Sequence, residues 1–156
     1  MAVPERTSSE PETAIPAGAE TGVGSLGPED QGSDIELTLP ADPLHVPVAR
    51  ALAADLAVRL DFDLDEVSDL RMAVDEACAE LVAKAAGAGR LRCIFQVDAD
   101  LLRVVVSATT KDGQTPSTTT FGWTVLTALV DEVTSWAEAG NVVHIQLVKR
   151  RSEALA

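Results

Sequence analysis

The apolar positions of this chain change period several times between residues 35 and 149, and each change marks an element. Ile35, Leu37 and Leu39 alternate with Glu36 and Thr38, as in a strand with one buried face, and Pro40, Asp42 and Pro43 end it. A first helix is predicted to start near Pro47, a residue suited to the first turn. Val48, Leu52, Leu56 and Leu60 form its expected buried stripe. Arg50, Ala53, Ala54 and Ala57 leave another face nearly bare around one cation, either for helix propensity alone or as a surface shaped for another protein. The longest periodic stretch, residues 70 to 86 with Val67 before it, sets Val67, Leu70, Val74, Ala77, Cys78, Leu81 and Ala85 on one helix face.

Residues 91 to 108 read as a hairpin, with Leu91, Cys93, Phe95 and Val97 on one arm and Leu102, Val104, Val106 and Ala108 on the other. A hydroxyl-rich loop follows at residues 109 to 120 and holds Gly113 and Pro116. FGWTVLTALVDEVTSW then predicts a third helix, with Val125, Leu126, Leu129, Val130 and Val133 toward the core. Val143, Ile145 and Leu147 alternate with His144 and Gln146 in a last strand. The order is strand, helix, helix, two strands, helix, strand. It predicts an α/β (α+β) two-layer sandwich, with helices on one face of a mixed or antiparallel sheet. His144 reads as structural, because no partner cluster is visible around it.

Composition changes the picture at the N-terminus. Residues 1 to 33 are punctuated by four prolines, filled with Gly, Ser and Thr, and acidic apart from Arg6. They carry too little apolar surface to offset the cost of ordering, so a disordered acidic tail is expected there. The folded domain is expected over residues 34 to 150, with a short tail at 151 to 156. The formal net charge of −13 repels phosphate backbones, which argues against nucleic-acid binding and favours a basic protein partner. No apolar run approaches a membrane span, so no membrane anchor and a cytoplasmic location are expected. Cys78 and Cys93 lack ligand or redox spacing and read as small buried hydrophobes. DFDLDE, before the central helix, lacks the glycine and terminal glutamate of a calcium loop; its acids suit a helix N-terminus instead.

The candidate chemistry lies on the central helix. Glu76 and Glu80 stand at i and i+4, with Lys84 one turn further. The carboxylates repel by a few tenths of a kcal/mol, about 0.2–0.5, which the Glu80–Lys84 pair offsets in large part. The face is either simply solvated or functional.

Two stretches make the chain resemble the anti-sigma factor family of RsbW and SpoIIAB, whose domain is similar to the ATPase domains of histidine kinases and Hsp90 (the Bergerat, or GHKL, fold). LRMAVDEACAELVAKA is similar to the family helix hydrophobic-xx-Val-x-Glu-Ala-x-x-Asn-Ala, and FGWTVLTALVDEV to its segment Gly-x-Gly-Phe-x-Ile-Met-x-x-x-Met-Asp-Glu-Val. Both look closest to the mycobacterial, UsfX-type branch. The resemblance implies an α/β ATPase-like fold and an anti-sigma factor that sequesters an alternative sigma factor under control of an anti-anti-sigma factor. It implies an ATP and Mg2+ site, serine/threonine kinase activity on the anti-anti-sigma protein as the alternative reading, and a homodimer. Carried over by position, Glu76 is the general base, Glu80 stands at the metal ligand, and Lys84, Ser107, Gly122 and Thr124 fall in the nucleotide site. Arg50 matches an arginine that contacts both protein partners.

The nucleotide boxes depart from the family pattern. Glu80 replaces an asparagine. Ser107, Ala108, Thr109 and Thr110 stand where the adenine-reading Asp-x-Gly-x-Gly is expected. Thr120 replaces the first glycine before Gly122, and about Val142 and Val143 replace a late Gly-Thr pair. Three of four boxes are degraded, so ATP binding is expected to be weakened or lost. The partner-facing arginine is kept, although the family's nearby glutamate is Val46 here.

Overall fold

The computed structural model describes residues 34 to 153, and the expected acidic tail lies outside the described residues. The elements are β1 (Ile35–Pro40), α1 (Val46–Arg59), α2 (Leu64–Lys84), β2 (Arg90–Val97), β3 (Leu101–Thr109), α3 (Phe121–Leu129), β4 (Glu132–Glu138) and β5 (Val142–Arg150), with a short 3-10 turn before α1. The strands form one antiparallel sheet in the order β1-β2-β3-β5-β4. The two-layer α+β expectation therefore holds, and the sheet is wholly antiparallel.

Register explains the layering. Cys93 pairs with Val106, and Val106 with Ile145; Phe95 pairs with Val104, and Val104 with Leu147. Residues of one parity on β2, β3 and β5 therefore share a face, and all six are fully buried. α2 covers that face with Leu70, Ala73, Val74, Ala77, Cys78 and Leu81, each fully buried. Cys78 and Cys93 meet inside this core as free thiols. Hydrogen bonding to Cys93 and burial push the Cys78 thiol well above its usual range, and both side chains are fully buried as small hydrophobes.

α2 starts on a complete capping box. Asp63 Oδ1 accepts from Glu66 N at 2.7 Å, and Glu66 Oε2 accepts from Asp63 N at 3.3 Å. The other Glu66 oxygen accepts from the backbone N–H of Ser152, and Arg151 donates to Leu60 O. The segment after β5 is thus tied back to the start of α2.

Two expectations need correction. The stripe Val48, Leu52, Leu56, Leu60 does not face the core as a unit: Val48 is exposed, while Ala49, Ala53 and Ala57 are fully buried. The small side chains let α1 lie close on α2, so the alanine face is a packing face and the surface around Arg50 is built differently. The third helix stops at Leu129. Its cap residue Val130 is extended, and Asp131 N donates to Val148 O, which starts β4. Val133, Thr134 and Trp136 suit a strand, and Gly140 and Asn141, both at positive φ, turn it into β5. The apolar positions after Leu129 fit helix and strand periods equally over so short a run, and the Gly-Asn pair is the signal that distinguishes them.

Ala53→Leu is expected to destabilise the fold by about 1–3 kcal/mol through overpacking between α1 and α2. Val48→Ala is expected to change stability by less than about 0.5 kcal/mol. Urea unfolding of both variants checks this; equal costs would contradict the orientation of α1.

Candidate functional site

α2 presents two flanks beside its buried face. On one flank, Asp75 accepts from Arg50 of α1 at 3.2 Å. The Arg50 side chain keeps 36% of its surface exposed, so the pair is reachable from solvent. Pro43, Val46, Pro47, Ala79, Val82 and Ala83 surround it, lining a groove of about 350 Å³. Leu44 and Val48 are exposed on the same turn and helix. Asp75 had no visible sequence signal, because its partner lies 25 positions away and no period links them.

The other flank carries Glu76 and Glu80 against the first turn of α3. Thr120 caps that helix, its Oγ1 accepting from Trp123 N at 3.2 Å. Gly122 lies directly under the two carboxylates. A Cβ there would collide with Glu76 Oε1 and stand 2.6 Å from Glu80 Oε1. Glycine is therefore what allows this approach. Burial pushes the Glu76 carboxyl above its ordinary range, and the charges of Glu80 and Asp75 add to the effect.

The structure thus brings together Glu76, Glu80 and Gly122. Lys84 follows as the last residue of α2, half-buried, with its carbonyl accepting from Lys111 N at 3.0 Å. Thr124 is exposed on α3 and donates to the Thr120 carbonyl. Ser107 is placed elsewhere. Its neighbours Val106 and Ala108 face the helices, so Ser107 points from the opposite sheet face, and its Oγ lies 2.5 Å from His144 Nδ1.

His144 corrects an expectation as well. It does have partners: Ser107, the Glu138 carboxylate at 3.1 Å from Nε2, and the stacked ring of Trp136. The Glu138 carboxylate can only accept, so Nε2 donates to it, and Nδ1 shares a hydrogen with the Ser107 hydroxyl. Among the described residues, no group of three or more His, Cys, Asp or Glu side chains is placed to hold a metal ion.

Comparison with known proteins bears on the fold and the family. Residues 39–147 match the family model described as histidine kinase-like ATPase domain. The chain is 33% identical over 124 residues to an anti-sigma-F factor RsbW of Mycobacterium tuberculosis, covering 76% of this chain and 74% of that one. It is 36% identical over 76 residues to a serine-protein kinase RsbW of Bacillus subtilis, 47% of this chain and 48% of the relative. Among solved structures, the RsbU and RsbW domains of Rv1364c from Mycobacterium tuberculosis match with a TM-score of 0.63 and 21% identity. That match covers 78% of this chain but only 33% of the longer one, so this chain spans about a third of its length.

The raised Glu76 carboxyl has a pH signature. The native state holds this proton at higher pH than the unfolded chain does, so its contribution to stability increases as pH falls through the native pKa and levels off below the unfolded one. Glu76→Gln is expected to melt above the wild type at pH 7, with the difference shrinking toward pH 4. Paired melting curves across that range check it; a constant difference would contradict burial and like charge as the source of the raised proton affinity.

Proposed function

The chain belongs to the histidine kinase-like ATPase domain family, and from that premise we propose that it is an anti-sigma factor that works by contact. The observation that carries this reading is 33% identity to an anti-sigma-F factor across about three-quarters of both chains. It would hold an alternative sigma factor away from RNA polymerase, acting in the cytoplasm, and an anti-anti-sigma protein would compete for an overlapping surface. We assign that surface to the α1 side of α2. Arg50 is the cation at an apolar groove in a chain of net charge −13, and Asp75 holds it half-exposed. A partner that places a carboxylate on Arg50 and an apolar side chain among Pro47, Val82 and Ala83 satisfies both features. The family implies a nucleotide-binding fold, but Mg-ATP has no required part in this mode of action.

A second reading, a serine kinase acting on the anti-anti-sigma partner, is favoured by one observation: Glu76 and Glu80 do converge on the first turn of α3. Glu76 would then act as general base and Glu80 as metal ligand. Transfer of labelled phosphate from ATP to a serine of the partner, abolished in Glu76→Gln, would put this reading first.

Purified protein is expected to capture one alternative sigma factor from a panel, and Arg50→Ala to weaken capture at least tenfold, as for a buried interface arginine. Capture of none, or equal capture by Arg50→Ala with unchanged folding, would sink the contact reading.

A further inference from the structure

Mg-ATP is the group the family implies, and three features of this chain disagree with it. Ser107, the residue at the adenine-reading position, faces away from the helices and is engaged by His144. Thr109 and Lys111 stand at the two glycine positions of the same box, and Thr110 lies between them. Its side chain is buried at 1% exposure, donates to Asn141 O and accepts from Gly113 N. The backbone there is closed on itself rather than open to a ligand. Third, the first turn of α3 is already faced by anions. Phe121 and Gly122 are the first two residues of the helix, where the helix dipole favours negative charge, and Glu76 and Glu80 bring two carboxylates to Gly122.

We infer that Glu76 and Glu80 make the cleft between α2 and α3 exclude anions, so that nucleotide phosphates are rejected until this pair is neutralised. The carboxylate tips are flexible and could swing aside, so the barrier is one of charge more than of volume. Each carboxylate repels an approaching phosphate charge that no bound cation offsets. Lys84 is the one cation that α2 itself carries on this flank, and it cannot cancel two carboxylates; Lys149 of β5, further along, is taken up by Asp69 at 3.5 Å and the Leu129 carbonyl. The pair is also uncomfortable on its own. Both carboxylates stand within reach of the same glycine, so like charge is held close on one flank of the helix. A family site that holds asparagine beside glutamate carries half this charge; Glu80 is the residue that makes the difference.

The inference deepens the contact reading and rests on it for its meaning, but the two fail separately, because sigma capture by wild type and Arg50→Ala does not involve this cleft. The experiment titrates the full chain with Mg-ATP and Mg-ADP by calorimetry, following the fluorescence of Trp123 and Trp136 in parallel, for wild type and Glu76→Gln/Glu80→Asn. Wild type is expected to stay silent up to about 1 mM nucleotide, and the double variant to bind at least tenfold more tightly. Without nucleotide, the double variant is expected to melt about 2 °C above wild type, because the like-charge pair is gone. Glu80→Gln, isosteric with the native residue, provides the same readings should the double variant not fold. Three results would overturn the inference. One is wild-type binding tighter than about 50 μM. Another is a folded neutral variant that stays silent. The third is a folded neutral variant that melts below wild type.

Discussion

The structure depends on one contact, the seat of α2 on the sheet. Leu70, Val74, Ala77, Cys78 and Leu81 place an unbroken apolar stripe over Cys93, Val106 and Ile145. Such fully buried aliphatic residues each contribute roughly 1.5–3 kcal/mol relative to exposure. Because the stripe fixes how α2 is rotated about its axis, it also fixes which residues emerge on either side. Asp75 must then rise toward α1, and Glu76, one residue on, toward α3. Two neighbouring acids are sent to two different surfaces by the rotation that the core imposes on the helix.

That rotation separates binding from nucleotide chemistry on a single rigid helix. The Asp75 flank is settled: α1 packs close through Ala49, Ala53 and Ala57, and Arg50 has an ion-pair partner. The Glu76 flank is not, since two carboxylates crowd a glycine and one has its proton affinity raised. Natural folds tolerate such local conflict at functional positions and offset it elsewhere. Here the offset is at hand in the capping box of Asp63 and Glu66, the Ser152 contact and the long buried stripe. A site degraded for catalysis can therefore persist without loss of the domain that carries it.

Much of this was legible in the residues themselves. The strand at Ile35, the central helix, the hairpin and the last strand follow their hydrophobic periods, because each has one face in the core and the other outside. The first helix was legible as a helix but not in orientation. Its valines and leucines outrank its alanines in hydrophobicity, yet close helix packing selects small residues, a tertiary preference that periodicity does not report. β4 was hidden for a different reason: nine helical residues and seven extended ones share an apolar rhythm across Val130. At the site, Glu76, Glu80 and Gly122 could be placed together from their resemblance to known boxes. The turning away of Ser107 could not, because it depends on strand parity, which shifts with a single residue of register. Asp75 and Glu138, partners of Arg50 and His144, required the tertiary fold.

Strand parity also decides how the Ser107, His144 and Glu138 line should be understood. A hydroxyl on an imidazole on a carboxylate is the order of groups that activates a serine nucleophile. Acyl transfer further needs free N–H donors aimed at the developing oxyanion. β3 is a central strand paired with β2 on one side and β5 on the other, so the backbone N–H groups around Ser107 are spent in the ladder. Ser107 is 9% exposed and His144 8%, which leaves no approach for a substrate. The line does something simpler. The helices cover only one face of the sheet, and polar side chains on the other face lose water as their neighbours close over them. Joining hydroxyl, imidazole and carboxylate in sequence pairs the Ser107 hydroxyl, both His144 nitrogens and one Glu138 oxygen, while Glu138 Oε1 and the Nε1 of the stacked Trp136 stay buried without a partner.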